Sequence, residues 1–169
     1  LGILELSING SYRRKSPNSG DIDVLITGDN IVEKRKQFIN QLKEKNIIKE
    51  TLADGNTKFM GISKLPSYPT HRHIDIIETS RDEYPFAVLY FTGSGGFNSY
   101  MRSIALSKGY SLNEHCMSYK KDKKCITSST IFSEIGKPVF EEEKDIFDFL
   151  DMKYLLPELR NNITLSKLV

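Results

Sequence analysis

An α+β fold in two lobes is expected for these 169 residues on three observations. Short apolar runs alternate with polar residues at period two around Leu4 to Ile8, Asp21 to Ile26, Thr57 to Ile62 and His71 to Ile77, which predicts the strands of a mixed β-sheet. Between the second and third runs, Ile31, Val32, Phe38, Ile39 and Leu42 recur at helical spacing among Lys, Glu and Gln, so an amphipathic helix should pack on that sheet. From Ser80 the chain turns dense in apolar and aromatic residues and is then broken by Gly93-Ser94-Gly95-Gly96, which predicts a smaller α/β lobe. The expected division is 1–79, 80–160 and a tail, 161–169.

The elements follow in order. Ile3, Leu4, Leu6 and Ile8 form an apolar strand that ends in a sharp turn at Gly10-Ser11. In the strand Asp21-Ile22-Asp23-Val24-Leu25-Ile26 the two carboxylates share one face, with Ile22 and Leu25 expected on the other. Thr27-Gly28-Asp29-Asn30 is a turn whose polar side chains are suited to capping the helix that follows. Ile47-Ile48 resumes as strand, Ala53-Asp54-Gly55-Asn56 turns, and Pro66 and Pro69 mark a connecting loop. In His73-Ile74-Asp75-Ile76-Ile77, alternation puts His73, Asp75 and Ile77 on one face. Tyr84 to Phe91 reads as a buried helix, and Phe97, Met101, Ile104, Ala105 and Leu106 as the next, with Arg102 on a different face. Short extended pieces then surround a lysine-rich turn, and Glu141 to Leu150 is a closing helix with acids at its N-terminal end, where the helix dipole favours them.

Composition narrows the classes. With 38% hydrophobic residues and no apolar run of membrane-spanning length, no membrane partner is expected. Net charge is only +2, yet cations cluster at Arg13-Arg14-Lys15, Lys34-Arg35-Lys36 and Lys120-Lys121-Asp122-Lys123-Lys124, and local clusters matter more than the sum for polyanion binding. Each cluster is also what a solvated face looks like. The two cysteines, Cys116 and Cys125, lack zinc-type spacing and suit reduced thiols of an intracellular protein.

The chemistry concentrates between Gly10 and Asp23. A sharp turn at Gly10-Ser11 would present backbone N–H groups and a hydroxyl to phosphate oxygens, with Arg14 as a fixed cationic fork. Asp21 and Asp23, close together, repel each other unless a cation lies between them, and hard divalent ions are commonly shared by carboxylates and phosphates. If the His73-Ile74-Asp75 strand lies beside them, three carboxylates converge. Gly-Ser followed by Asp-x-Asp at this distance is the signature of nucleotidyltransferases.

With those residues in hand the chain resembles the family X DNA polymerases, of the beta and lambda type. The matching motifs run in order: Gly10-Ser11-Tyr12-Arg13-Arg14, Ser19-Gly20-Asp21-Ile22-Asp23, Thr57-Lys58-Phe59-Met60-Gly61, His73-Ile74-Asp75, Tyr90-Phe91-Thr92-Gly93-Ser94, Phe97-Asn98 with Met101-Arg102, and Glu143-Lys144-Asp145-Ile146-Phe147. The resemblance implies a nucleotidyltransferase-type palm followed by a nucleotide-selection subdomain that closes over the nascent base pair. It implies that Asp21, Asp23 and Asp75 are catalytic and hold two Mg²⁺ ions, with Mn²⁺ as a substitute. By the same resemblance Ser11, Arg14 and Gly20 hold the incoming triphosphate. Tyr90, Phe91 and Gly93 check its sugar, Asn98 contacts its base, and Arg102 contacts the template strand.

Two positions depart from that pattern. Gly95 stands where polymerase beta has an acid, and His73 where an arginine is usual beside the third aspartate. Family members also carry an amino-terminal lyase domain and a helix-hairpin-helix region, so lyase activity is not carried over. Because the chain starts at Leu1, it is expected to be a fragment with weak DNA affinity alone. The implied function is templated DNA synthesis in gap-filling or base excision repair, by a monomer acting on gapped primer-template DNA and a dNTP. The location would be intracellular, nuclear in a eukaryote, with a viral source also open. The alternatives are template-independent terminal addition and a catalytically silent DNA-binding module.

Overall fold

The computed structural model describes residues 5–126 and 140–161. Residues 1–4, 127–139 and 162–169 lie outside the description, and with them Ile3, Leu4 and nearly all of the expected tail. The chain divides into two compact units, Leu1–Arg81 and Asp82–Val169.

The first unit is a five-stranded mixed sheet of order β1-β2-β5-β4-β3, made of β1 (Glu5–Ile8), β2 (Asp21–Thr27), β3 (Ile48–Asp54), β4 (Lys58–Ser63) and β5 (Arg72–Glu78). Only β2 and β5 run parallel; the other neighbours are antiparallel. Strict alternation makes the sheet two-sided. On one face Val24, Ile26, Phe59, Ile74 and Ile76 are buried with Ile39 of helix α2 (Ile31–Glu44), while Ile31, Phe38 and Leu42 pack around them. Each such side chain contributes about 1.5–3 kcal/mol by leaving water. The opposite face carries Asp21, Asp23 and Asp75. Leu25 belongs to that face as well, because it is two residues from Asp23; the expectation that it turns away fails on parity, and it is buried.

Two further expectations change. Gly10-Ser11 is not a bare turn but opens a one-turn helix, α1 (Gly10–Arg13). Asn30 precedes α2 in the left-handed region, φ 53°, and its side chain makes no capping hydrogen bond. Arg35, read as part of a cationic cluster, is buried: Nε donates to Glu78 Oε2 at 2.7 Å, Nη1 to Asp54 Oδ1 at 3.2 Å, and Nη2 to the carbonyls of Gly55 and Asn56. This arginine ties α2 to the β3–β4 turn and to the end of β5. A solvated face is the wrong description of it.

The second unit opens with α3 (Tyr84–Thr92), in which Phe86, Ala87, Val88 and Leu89 are consecutive buried residues, as an apolar helix in a core requires. The break at Gly93 places that residue at φ 65°, which a glycine adopts without steric cost, and the Gly93–Ser94 peptide is cis. Ser94 then caps α4 (Gly95–Ser107) by accepting from the Phe97 N–H at 3.4 Å. Phe97, Met101 and Ala105, four residues apart, face the core. The antiparallel hairpin β6 (Tyr110–Leu112) and β7 (Met117–Tyr119) follows, then α5 (Glu143–Phe149), started by a capping box between Glu142 and Asp145, and a 3₁₀ turn at Pro157–Arg160. Cys116 and Cys125, expected as reduced thiols, are joined in a disulfide. The β7 register returns the chain to an isolated bridge between Ser118 and Cys125, so the two cysteines meet across the turn. No helix among the described residues is long and apolar enough to cross a membrane.

Candidate active site

In the first unit the parallel pairing of β2 with β5 sets Asp23 opposite Asp75 and Asp21 opposite His73. Residues opposite each other on neighbouring strands share a face, so the three carboxylates share one side of adjacent strands. Asp23 is half-buried. Burial pushes its pKa above the ordinary carboxylate value, and the charges of Asp75 and then Asp21 push it further, against the opposing pull of Lys58 and Arg14. The Arg14 guanidinium is itself held below its usual range by burial, and Asp23 resists that shift.

The turn between β1 and α1 is pressed against this acid. The Asn9 N–H donates to the Asp23 carbonyl at 2.8 Å, and the Asn9 side chain holds Ser7. Gly10 follows at φ 61°, where a Cβ would run into Asp23 Oδ2. Glycine is therefore needed twice, for the left-handed backbone and for the room the carboxylate takes. The Ser11 hydroxyl donates to Ser19 Oγ at 2.8 Å, and the Ser19 hydroxyl donates to the Asp21 carbonyl at 2.9 Å. That chain of hydroxyls fixes the loop leading into β2. Gly20, exposed beside it, has open space where a side chain would be.

The donor set fits a hard divalent cation, since it offers only carboxylate oxygens whose mutual repulsion such an ion would relieve. As the side chains stand, no three Asp, Glu, His or Cys residues among those described form a ready metal-binding group. Lys58, at the start of β4, places its ammonium 2.6 Å from Asp75 Oδ2.

The remaining predicted residues lie in the second unit. Tyr90 and Phe91 meet edge to face at 5.1 Å, and Asn98 donates from Nδ2 to the Tyr90 carbonyl at 2.8 Å. The Arg102 guanidinium lies over the Tyr90 ring at 5.4 Å. Together with Phe86, Leu89, Met101, Leu112 and Asn113, these residues, Phe91 apart, line a shallow, open depression. Sequence reasoning found them through motifs. It quoted Lys58 and Ser19 within motifs without giving them a role and did not single out Asn9; the roles of all three depend on register rather than on residue type. It also missed the buried pair of Arg160 and Glu143, linked at 2.6 Å.

Two family models match in succession: DNA polymerase beta palm over residues 2–81 and DNA polymerase beta thumb over residues 87–161. The second lobe, expected as a nucleotide-selection subdomain, is thus matched as the thumb. Among similar proteins, DNA polymerase lambda of Rattus norvegicus is 33% identical over 162 residues, covering 90% of this chain and 28% of that protein. DNA polymerase lambda of Arabidopsis thaliana is 29% identical over 172 residues, covering 90% of this chain and 31% of that protein. The DNA polymerase/3'-5' exonuclease PolX of Bacillus subtilis (strain 168) is 27% identical over 161 residues, covering 95% of this chain and 25% of that protein. The chain spans less than a third of the length of these relatives.

Proposed function

The chain belongs to the family X DNA polymerases, and on that premise we propose that it supplies the catalytic palm and the thumb of a templated DNA polymerase in gap-filling repair. The observation that carries the reading is the register of β2 against β5, which sets Asp23 beside Asp75 with Asp21 two residues along the same face. Two Mg²⁺ ions, or Mn²⁺ in their place, held by Asp21, Asp23 and Asp75, would stabilise charge on the attacking and leaving oxygens.

The chain's own groups do the rest. Asp75 accepts the proton of the primer 3′-hydroxyl as that oxygen bonds to the α-phosphorus and pyrophosphate leaves. The Ser11 hydroxyl, now turned to Ser19, and the Arg14 fork meet the triphosphate, and Gly20 leaves it space. Tyr90, Phe91 and the Gly93 backbone pack on the sugar and oppose a 2′-hydroxyl sterically. Asn98 gives one amide hydrogen to Tyr90 and has a second for the base edge. Arg102 leaves the Tyr90 ring to contact the template strand. We place this activity inside the cell, in a monomer, on gapped primer-template DNA.

The test is incorporation of dNTPs by the 169-residue chain on a gapped substrate with Mg²⁺, with and without the template strand. Templated extension that Asp75→Ala abolishes is expected. Equal extension without template would replace this reading with terminal addition. No extension by the wild type would leave a DNA-binding module.

A further inference from the structure

Lys58 forms an ion pair with the acidic face of the sheet. It lies on β4, where Lys58 is opposite Ile77 and Met60 opposite Asp75, so its side chain reaches diagonally across two registers to Asp75. The ammonium meets Oδ2 at 2.6 Å, with the Lys58 side chain 41% and the Asp75 side chain 21% exposed. Other charges face the same group of acids: Arg14 from the loop after α1, and Asp21 and Asp23 from β2. Lys58 and Arg14 therefore offset part of the negative charge of three carboxylates.

We propose that Lys58 is a built-in competitor for the divalent cation, holding Asp75 until metal takes that carboxylate, and so sets the metal concentration at which the site fills. The proposal rests on the reading of Asp21, Asp23 and Asp75 as metal ligands. Its logic is competition for one oxygen and repulsion between like charges. An oxygen accepting a hydrogen bond from an ammonium is a poorer donor to a metal, and a fixed positive charge close by opposes a second one. The contact is also easily undone. An ion pair this exposed is weak, and a lysine stem is long enough to swing its head into water. Lys58 thus occupies Asp75 without locking it.

Titration of the full chain with Mn²⁺ alone, followed by electron paramagnetic resonance of the free ion and by calorimetry, reads this directly and needs no turnover. Lys58→Met is expected to tighten Mn²⁺ binding by about threefold to fivefold, the upper end of the scale set by removing one exposed charge pair. Lys58→Arg, which keeps the cation, should stay within about twofold of wild type. If Lys58→Met folds poorly, Lys58→Gln replaces it, and the gain in thermal midpoint on adding Mn²⁺ should be larger for it than for wild type. Asp75→Asn separates the two failures. If it binds Mn²⁺ as tightly as wild type, Asp75 is no ligand, and the metal reading falls together with this proposal. If it loses affinity while the neutral Lys58 variants bind no tighter than wild type, the metal reading stands and the proposal alone is wrong. Weaker binding by those variants would make Lys58 a support for the ligand instead of a rival to the ion.

Discussion

Replacing Arg160 with methionine should cost the second unit about 3–5 kcal/mol, the range for removing one partner of a buried ion pair. Arg160 is fully buried. Its Nη1 donates to Glu143 Oε1 at 2.6 Å, and Nε and Nη2 both donate to the Leu155 carbonyl, at 2.9 and 2.6 Å. Its guanidinium lies 4.8 Å from the Phe97 ring centre, 5.3 Å from that of Phe147 and 5.4 Å from that of Tyr154, whose hydroxyl donates to Glu143 Oε2 at 2.8 Å. The substitution strips a buried carboxylate of its guanidinium and a buried carbonyl of two donors, and methionine returns only packing. A unit of this size holds on the order of 9 kcal/mol in all, at roughly 0.1 kcal/mol per residue, so a third to a half of its stability is at stake. Urea unfolding followed by far-ultraviolet circular dichroism measures it, as a shift in midpoint at constant slope. Arg160→Lys should recover little, because one ammonium cannot serve Glu143 and Leu155 together as a planar fork does. A double variant, Arg160→Met with Glu143→Met, should lose less than the two single losses added. The consequence reaches α4, since the Ser94 hydroxyl that caps it donates to the Arg160 carbonyl at 2.7 Å. A loss under 1 kcal/mol for Arg160→Met, or strict additivity in the double variant, would refute the argument.

Three further outcomes are expected. Gly10→Ala should lower stability by about 1–2 kcal/mol through its left-handed backbone and, by displacing the Asp23 carboxylate, slow incorporation by about a hundredfold; thermal midpoints and single-turnover rates separate the two effects. Replacing both Cys116 and Cys125 with serine, or reducing their bond, should cost about 2.5 kcal/mol for a loop closed over a separation of 9, and the double variant should be insensitive to reductant. Asp23 has a folded-state pKa raised above the ordinary aspartate value of 3.8, so its ionisation disfavours the folded protein as pH rises through the window from 3.8 to that raised value. Asp23→Asn should therefore stabilise the chain at neutral pH in chelator and change it little below pH 3.8, as thermal unfolding across that range would show.

The limits of reading this sequence follow from how far apart the interacting residues lie. Strands β2, β4 and β5 and helices α2 and α4 were legible because their apolar periodicity is local, and the three aspartates were legible because alternation within each strand assigns each a face. The pairing of Asp23 with Asp75 is not local: it requires β5 to lie against β2 with neither slipped by one residue, since such a slip would turn every side chain to the other face. Where partners come from different elements, residue type misleads. Arg35 sits between two lysines and looks solvated, yet its partners Asp54 and Glu78 lie 19 and 43 residues away. Cys116 and Cys125 carry no spacing signal, and only the β6–β7 hairpin brings their Cα atoms to 5.9 Å. Gly10 was readable as a turn glycine, but its second constraint, the Asp23 carboxylate in the space a Cβ would take, exists only after β1 and β2 pair. The same holds for Lys58, which reads as a solvent lysine at the head of a strand until β4 pairs with β5. Its ammonium meets Asp75 because the acidic face of the sheet gathers like charges that a nearby cation partly offsets, and that electrostatic requirement belongs to the assembled sheet, not to either strand alone.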